Sequence, residues 1–388
     1  MPHDLPVPLI TVAGPPAACG AGYGAAAADR IGANLELYRR RFRDQAGLTA
    51  AGVRAAGRAF REVTAALHPR VAAMLDGVAD GAGVPVADVY ALNARTELLY
   101  DATVTAARAP RATPNSADGG CTALGVLGTH TATGHLLLAQ NWDWHPDQRD
   151  AMVLLATRDE RGHGVLALAE AGMLAKAGLN SAGVGVCLNL LGCDRDGLPP
   201  GGRRPGVPYH VLLRAALEAD SLTWAIQSAC RSPRNASINL LLGQAGDPAY
   251  GDPVAGGELI DLELVPGDAG WLHPADGVLT HANHLESAVP VRDAMVDLGG
   301  SSLFRSARAR RLLAPAAAAG TVTEDDLAAV LRDHASFPLG ICRHVDDRDP
   351  PASRTESVYS LLMDLDTRRL GIAAGPPCRH AYAWLDLP

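Results

Sequence analysis

The chain has 388 residues, of which 48% are hydrophobic, and carries a formal net charge of −8 with a pI of about 5.9. This length suggests two or three domains, or one large layered α/β fold with a substantial core. The acidic balance and the scattered arginines argue against nucleic-acid binding, and no apolar run has the length needed to span a membrane.

The amino terminus and the cysteines indicate the compartment. Residues 1–16 lack a basic stretch followed by an uninterrupted apolar segment, so we expect no signal peptide. The seven cysteines are odd in number and widely spaced, with no Cys-x-x-Cys pair. This usage is typical of a reduced compartment, and it predicts a cytoplasmic protein.

The first 110 residues are predicted to be mostly helical. A short strand is expected at about residues 6–12. Periodicity and the content of Ala, Arg and Leu predict helices at residues 25–42, 52–75 and 86–100. Residues 110–120 are rich in Pro, Ser, Asn, Asp and Gly, which predicts a loop.

Strands are expected to dominate the chain after residue 121, with helices between two groups of them. The Gly/Pro/Arg-rich residues 193–208 are long enough to form a flap over a substrate. This succession suggests sheets held between layers of helices. The predicted strands are at 122–127, 134–139, 152–156, 164–168, 184–191, 237–242, 259–265, 277–280, 357–364, 369–373 and 381–385, and the predicted helices at 209–218, 221–230 and 323–334.

Cys121 stands where the predicted loop enters the first of these strands, behind Gly119 and Gly120. A thiol at this point could attack the carbonyl of Gly120 and shift the acyl group from nitrogen to sulfur, so that hydrolysis leaves Cys121 with a free α-amine. That amine, with an ordinary pKa near ~7.7–8.0, would be a base beside its own thiol. For this stretch alone, the alternative is a small apolar cysteine that fills a core strand.

Eight short stretches, through their order and spacing, give the chain a resemblance to a known family. They are Leu92-Asn93-Ala94-Arg95-Thr96-Glu97, Asp118-Gly119-Gly120-Cys121-Thr122, Gln140-Asn141-Trp142-Asp143, Glu170-Ala171-Gly172, Gly178-Leu179-Asn180-Ser181-Ala182-Gly183-Val184, Gly206-Val207-Pro208, His281-Ala282-Asn283-His284 and Ile341-Cys342-Arg343. The chain thereby resembles the acyl-coenzyme A:6-aminopenicillanic acid acyltransferase family of N-terminal nucleophile hydrolases, which are similar to peptidase C45. Bile-salt hydrolases and penicillin V acylases are its more distant relatives.

The resemblance implies an α+β fold with four layers, αββα, and autocatalytic cleavage of a zymogen between Gly120 and Cys121. A mostly helical α chain, residues 1–120, would stay associated with a catalytic β chain, residues 121–388. The expected activity is that of an acyltransferase or amidohydrolase that forms an acyl-Cys121 intermediate, acting on an acyl amide or acyl thioester of bacterial secondary metabolism. No cofactor is expected, and acyl-coenzyme A is a candidate donor substrate.

Two positions depart from the family pattern. Two glycines, instead of one, lie between Asp118 and Cys121. Gly340 stands where the acyltransferases carry a serine near Arg343. The first departure bears on the rate of self-cleavage, and the second bears on whether the substrate is of the penicillin type.

The resemblance also implies roles for polar residues. Asp143, which lies beside the nucleophile in the family, would hold the α-amine through a charge-assisted hydrogen bond, where a turn aspartate is the alternative. Asn283 would donate to the oxyanion of the tetrahedral intermediate, where a capping asparagine is the alternative. Arg343 would lower the pKa of the thiol, or form a structural ion pair, or both.

Two further residues are candidates for substrate or oxyanion binding. Asn189 aligns approximately with a second oxyanion donor of the wider family, and the alternative is an ordinary strand asparagine. Ser237 aligns with a serine near the substrate pocket, and the alternative is a buried strand serine. His281-x-x-His284 without a nearby third ligand is weak evidence for zinc, so no metal is expected. Cys187, Cys193 and Cys342 are expected to be core residues, and Glu170 and Lys176 to be scaffold.

Two other hypotheses compete with the self-cleaving enzyme. One is a thiol enzyme that works uncleaved and needs a separate base, such as His145 or His281. The other is a binding scaffold of the same fold that has lost its chemistry. The joint presence of four site residues argues against it: Cys121, Asp143, Asn283 and Arg343.

Overall fold

The computed structural model describes residues 5–99, 120–197, 205–246 and 257–388. The predicted loop at residues 110–120 lies outside the described residues except for Gly120. The flap predicted at residues 193–208 is described only at its two ends. Within the described part of the chain, no helix combines the length and the hydropathy that crossing a membrane requires.

The amino-terminal segment consists of one strand and a group of helices. Thr49 caps the third helix by accepting a hydrogen bond from the backbone N–H of Gly52 at 3.1 Å. The elements are β1 (Leu9–Ala13), α1 (Pro16–Ala26), α2 (Ala28–Asp44), α3 (Ala50–Leu67), α4 (Pro69–Ala82) and α5 (Val86–Asn93), and residues 95–99 add a further helical segment.

The prediction of one helix over residues 52–75 is wrong, because the chain breaks at His68. Pro69 supplies no backbone N–H and keeps the residue before it out of the helical region, so His68 has φ −132° and ψ 65°. Pro69 suits the first turn of a new helix, where the missing N–H would have had no partner. The predicted single helix is therefore the pair α3 and α4.

The described strands form two sheets. In the eight-stranded sheet A, only β1 and β4 pair in parallel, and the other neighbours are antiparallel. Its order is β1, β4 (Met152–Arg158), β5 (Gly164–Glu170), β6 (Ala177–Asn180), β7 (Val184–Leu190), β8 (Ile238–Gln244), β9 (Glu258–Val265) and β10 (Asp268–Leu272). The antiparallel six-stranded sheet B has the order β11 (Val278–His281), β2 (Gly120–Val126), β3 (Leu137–Trp144), β12 (Glu356–Asp364), β13 (Arg369–Ala374) and β14 (Ala383–Asp386).

Further helices cover the outer faces of the two sheets. The helix predicted from the Thr-Glu-Asp-Asp signal begins as expected, with a capping box between Thr323 and Asp326, and ends at Leu331. A long helix at Ser302–Ala319 was not predicted, because its Ala/Arg-rich sequence has little apolar periodicity and contains Pro315. The helices that follow β7 among the described residues are α6 (Tyr209–Leu217), α7 (Leu222–Arg231), α8 (Ala294–Leu298), α9 (Ser302–Ala319) and α10 (Glu324–Leu331), of which α8 is short and belongs to neither covering layer.

The hydrophobic clusters show four layers. The amino-terminal helices pack on one face of sheet A through residues such as Val153 and Leu155, and α6 and α7 cover the same face further along. The opposite face of sheet A packs against sheet B. The far face of sheet B is covered by α9 and α10. The predicted α+β fold with four αββα layers is therefore confirmed.

Strand β2 lies inside sheet B, between β11 and β3, and all of its residues are buried. Its register places Gly120 opposite Asp143 and Cys121 opposite Trp142. Because successive side chains of a strand point to opposite faces, Cys121 and Trp142 face sheet A, and Asp143 faces the other way. Gly120 therefore lies beside the outer-face carboxylate of Asp143, whereas the side chain of Cys121 points to the inner face of sheet B.

Helices α1 and α4 pack with their backbones almost in contact. A Cβ placed on Gly77 would overlap the carbonyl oxygen of Ala17, and one placed on Gly81 would overlap that of Ala21. The equivalent atoms on Gly20 and Gly24 of α1 would overlap carbonyl oxygens of α4. Glycine is therefore required at this contact for space, although it is a poor helix former.

We expect Gly77→Ala to destabilise the protein by about 2 kcal/mol or more, since the overlap must outweigh the gain of about 1 kcal/mol in helix propensity. Gly32→Ala in α2 is the matched control, because a Cβ there meets nothing within 4 Å. It should leave the protein equally stable or slightly more stable. Urea unfolding of both variants checks this, and a Gly77→Ala protein as stable as Gly32→Ala would contradict the packing.

Candidate active site

Cys121 lies beside a small cavity between the two sheets. Its side chain is 5% exposed and shares the inner face of sheet B with Trp142. Aromatic, cationic and aliphatic side chains from both sheets and from the helices surround it. The residues that line the cavity are Arg95, Cys121, Trp142, Asp143, Trp144, Lys176, Leu188, Leu190 and Tyr209.

Two side chains hold the backbone of Cys121. Its N–H donates to Oδ1 of Asn283 at 2.9 Å, and its carbonyl oxygen accepts from Arg305 at 2.5 Å. Arg305 also donates to Oδ1 of Asn283 at 2.7 Å, so one asparagine oxygen joins both groups. Asn283 Nδ2 donates to the carbonyl of Leu190 at 3.0 Å. An amide nitrogen carries two hydrogens, and the second is the one that an oxyanion could use.

Asp143 places its carboxylate beside Gly120 on the outer face of sheet B. Oδ1 accepts from the hydroxyl of Ser357 at 2.6 Å, and Oδ2 lies 3.5 Å from Nε of Arg343. Among the described residues, this buried Oδ2 accepts no hydrogen bond. A Cβ on Gly120 would lie 2.7 Å from Oδ2, so a larger residue before Cys121 would push the carboxylate of Asp143 aside. Burial raises the pKa of Asp143, against the opposing effect of Arg343.

Arg343 belongs to the loop that follows α10 and is 4% exposed. Its guanidinium donates to Oγ1 of Thr355 at 3.1 Å, and its backbone N–H donates to Oγ of Ser357 at 3.0 Å. Ser357 in turn donates to Asp143. Arg343 therefore lies next to the carboxylate on the outer face, and Ser357 links the two residues.

Lys176 faces the cavity from sheet A. Its Nζ lies 4.1 Å from the centroid of the Trp142 ring and donates to Oε1 of Glu170 at 2.8 Å. Burial and the nearby charge of Arg95 lower the pKa of Lys176 to about 8, although Glu170 opposes them. An amine in this state can exchange a proton near neutral pH.

The thiol of Cys121 is protonated at neutral pH in this chain. Burial is the main cause that raises its pKa to about 11, and the charge of Asp143 adds to it. Lys176 and Arg305 act in the opposite direction, because a cation favours the thiolate. The thiol therefore needs a base before it can act as a nucleophile.

Glu170 is the carboxylate that neutralises the buried cations behind the cavity. Arg95 donates to its Oε1 at 3.0 Å, and Tyr38 donates to its Oε2 at 2.7 Å. The cations Arg95 and Lys176 hold the pKa of Glu170 far below its usual range despite complete burial. Arg95 also stacks 4.6 Å from the Trp144 ring. Two cations share this one carboxylate, which leaves the cavity floor positive.

Asn189 lies on β7, in a buried polar chain that runs across sheet A. Its Nδ2 donates to Oδ1 of Asn239 at 2.7 Å, and Asn239 donates to the carboxylate of Asp261. His281 lies at the end of this chain and bonds Glu263 at 2.8 Å. Burial opposes the charge of His281, yet the two carboxylates raise its pKa to about 9.

Ser237 belongs to a separate buried cluster. Its hydroxyl donates to Oδ1 of Asp196 at 2.6 Å and lies 3.3 Å from Sγ of Cys193. The residues that line the cavity around Cys121 do not include it. Of the six site residues predicted from the sequence, Cys121, Asp143, Asn283 and Arg343 meet around one strand end, whereas Asn189 and Ser237 lie in their own polar clusters.

Sequence reasoning missed Arg305 and Ser357 and assigned Lys176 to scaffold. Arg305 was missed because its helix, α9, was not predicted. Ser357 carries no signal of its own in the sequence. Lys176 offered a signal that could have been used, because it is the single lysine of a chain in which the other 33 basic residues are arginines.

The comparisons with known proteins agree with this architecture. A family model described as acyl-coenzyme A:6-aminopenicillanic acid acyl-transferase matches residues 130–378. The 40 kDa form of acyl-coenzyme A:6-aminopenicillanic-acid-acyltransferase from Emericella nidulans is 26% identical over 372 residues, or 95% of this chain and 92% of that protein.

Two solved structures are similar at lower identity. A mutant of conjugated bile acid hydrolase from Clostridium perfringens aligns at 12% identity with a TM-score of 0.43, over 65% of this chain and 89% of its own. Penicillin V acylase from Agrobacterium tumefaciens aligns at 14% identity with a TM-score of 0.42, over 66% of this chain and 83% of its own.

The four layers, with a cysteine at the start of an inner strand, define an enzyme fold of the N-terminal nucleophile hydrolase class. The family match covers more than half of the chain. The chain belongs to the acyl-coenzyme A:6-aminopenicillanic acid acyltransferase family, and the resemblance predicted from its sequence is confirmed.

We expect Glu170→Gln to destabilise the protein by about 3–5 kcal/mol, because it leaves Arg95 and Lys176 buried without a counter-charge. Glu36→Gln is the matched control, since Glu36 pairs with Arg39 at a surface where its side chain is 60% exposed. It should cost less than about 1 kcal/mol. Chemical unfolding measures both free energies, and equal losses would contradict the assigned role of Glu170.

Proposed function

We propose that this chain is a precursor that cleaves itself between Gly120 and Cys121, and that Cys121 then carries acyl groups from an amide or thioester to water or to an amine. The observation that carries the proposal is the backbone of Cys121, held by Asn283 and Arg305 between the carboxylate of Asp143 and a cavity that contains Lys176.

Self-cleavage uses the groups around the Gly120–Cys121 peptide. The thiol attacks the carbonyl carbon of Gly120, so that a carbon–sulfur bond forms while the peptide C–N bond breaks, and the thiol proton ends on the nitrogen of Cys121. Water then hydrolyses the thioester to a Gly120 carboxylate and a thiol. Oδ2 of Asp143 lies beside Gly120 and accepts no hydrogen bond among the described residues, and it would hold the new ammonium group by a charge-assisted hydrogen bond.

Acyl transfer then uses the freed amine. In its neutral form it takes the thiol proton, directly or through a water, and the thiolate attacks the acyl donor. The second Nδ2 hydrogen of Asn283 stabilises the oxyanion, and the loss of such a donor typically slows a reaction about 10²–10³-fold. Lys176, on the thiol side of the sheet, favours the thiolate and keeps the cavity positive.

Contacts across the cut support continued association of the two segments. Strand β1 pairs with β4 from Leu9 to Ala13, and the amino-terminal helices pack on sheet A around Val153 and Leu155. Strand β1 and these helices would therefore remain in the core after cleavage, and they would hold the α chain, residues 1–120, to residues 121–388.

The relatives suggest the substrate class. The Emericella nidulans protein is named for acyl-coenzyme A and 6-aminopenicillanic acid, and we propose an acyl thioester or a small acyl amide for this chain. The positive cavity floor would suit an anionic donor or product. Gly340 stands where the acyltransferases of the family carry a serine, so a penicillin-type acceptor does not follow from the family. We propose as acceptor a small amine of secondary metabolism, or water.

The uncleaved thiol enzyme is the second candidate, and it needs a histidine base. His281 bonds Glu263, and His145 lies 3.2 Å from the carbonyl of Arg354 through Nδ1. Burial lowers the pKa of His145 to about 4. Neither histidine lines the cavity around Cys121, which favours the α-amine as base.

We expect the intact-mass spectrum of the freshly purified protein to show two fragments, residues 1–120 and 121–388, whose masses add up to the whole chain plus one water. Cys121→Ala should remain a single chain of about 40.3 kDa. Cys230→Ala, which removes an exposed thiol, is the control and should be cleaved normally.

A wild-type chain that stays whole on long incubation would contradict self-cleavage. If that whole chain still transferred acyl groups, and lost this activity in His145→Ala or His281→Ala, the uncleaved thiol enzyme would replace the proposal. A whole chain without activity toward acyl thioesters or amides would support the binding scaffold.

We expect Lys176→Met to slow the reaction of Cys121 with a small thiol reagent at pH 7 by about tenfold or more. The loss of a nearby cation raises the pKa of the thiol, and each unit reduces the thiolate about tenfold. Labelling rates, followed by mass spectrometry between pH 6 and 10, check this shift. Leu188→Met, which changes a neutral residue of the same cavity, is the control, and overlapping profiles for both variants would show that Lys176 does not act on the thiol.

A further inference from the structure

Four side chains outside the Cys121 cavity bring two sulfur and two nitrogen atoms together. His334 follows α10, Cys342 and His344 belong to the loop before β12, and Cys378 lies between β13 and β14. One potential ligand atom from each residue lies within 4.8 Å of the other three. Cys342 and His344 are buried, whereas His334 and Cys378 are exposed, so solvent reaches the cluster from one side.

The three distances from Nε2 of His344 to the other ligand atoms are close to the edges of a tetrahedron around one ion. With metal–sulfur and metal–nitrogen bonds of about 2.3 and 2.05 Å, tetrahedral zinc sets its nitrogen ligands about 3.4 Å apart and nitrogen from sulfur about 3.6 Å apart. In the structure, Nε2 of His334 and of His344 are 3.1 Å apart. Sγ of Cys342 and Sγ of Cys378 lie 3.5 and 3.3 Å from Nε2 of His344.

Hydrogen bonding does not account for this arrangement. Nε2 of His344 has three close neighbours, His334, Cys342 and Cys378. A ring nitrogen has either one hydrogen to donate or one lone pair to accept with, so it satisfies at most one of the three well. A cation between the four atoms would meet all of their lone pairs together.

We propose that His334, Cys342, His344 and Cys378 bind one zinc ion as a structural Cys₂His₂ site. Two thiolates and two neutral imidazoles form the sulfur and nitrogen set that zinc takes in closed tetrahedral sites. Both cysteines are free thiols in the structure, as this chemistry requires. The sequence did not predict this site, because its four ligands are spread over 45 residues and form no recognisable metal-binding motif.

The zinc ion would tie the loop before β12 to the connection between β13 and β14. Arg343 lies between two of the ligands in the chain, and its guanidinium reaches toward Asp143. The backbone supports the same loop, since Cys342 N–H donates to the carbonyl of Asp333 at 2.9 Å and His344 N–H to that of Pro338 at 2.8 Å. The metal thus fixes the segment from which Arg343 approaches the outer face of sheet B.

The test is the metal content of the full-length protein purified with a reductant and without a chelator. Elemental analysis should find one zinc per chain. After removal of zinc, titration with Co²⁺ should give thiolate charge-transfer bands and tetrahedral d–d bands that saturate at one equivalent. Cys378→Ser, a change at an exposed ligand, should abolish both the zinc and the bands.

Cys230→Ser is the matched control, because it removes another exposed cysteine and should retain full zinc occupancy. The Co²⁺ titration of the wild-type protein tests the proposal even if a ligand variant fails to fold. Three results would each overturn the proposal: no zinc or Co²⁺ bound by reduced wild-type protein, full occupancy in Cys378→Ser, or a disulfide between Cys342 and Cys378 that persists in the reductant.

Discussion

The pairing of β2 with β3 is the constraint on which the rest of the site depends. Because Gly120 is opposite Asp143 and Cys121 is opposite Trp142, one strand end presents a peptide bond to a carboxylate and a thiol to a cavity on the other face. A shift of one residue would exchange the faces and place the thiol beside Asp143. Complete burial of β2 fixes that register, since Cys121 and Ala123 pack toward sheet A while Leu124 and Val126 pack toward the helices.

The buried charges follow from the same arrangement of layers. On the outer face of sheet B, Arg305 and Arg343 lie near the Asp143 carboxylate. On the inner face lies Lys176, which pairs with Glu170, and Glu170 also contacts residues of the amino-terminal segment. In a medium of low polarity each charge needs a partner, so these residues are stabilised as groups and not one by one. The site therefore depends on both segments of the chain, because Arg95 and Tyr38 complete the group around Glu170.

The sequence predicted the layered fold and the four residues that surround the start of β2. Composition indicates the strands, and the order and spacing of the family's motifs indicate the site residues. It could not predict what depends on packing. Helix α9, which carries Arg305, has weak apolar periodicity and was not predicted. The break at His68, by contrast, is visible in the sequence, because Pro69 marks it. Asn189 and Ser237 matched positions in a motif, yet their side chains turn to Asn239 and Asp196, because partners in space are not visible in a linear pattern.

The burial of β2 has a consequence for the life of the molecule. The groups that would cleave a peptide bond inside a closed core come together only after the sheets have assembled. A cut after Gly120 would therefore occur only in chains that have folded. The same cut would remove the covalent link between β1 and the strand that it stabilises, β4. A mature molecule that opened and lost its amino-terminal segment would have to find it again as a separate chain. Its lifetime would then be governed by the rate of opening more than by the free energy of folding.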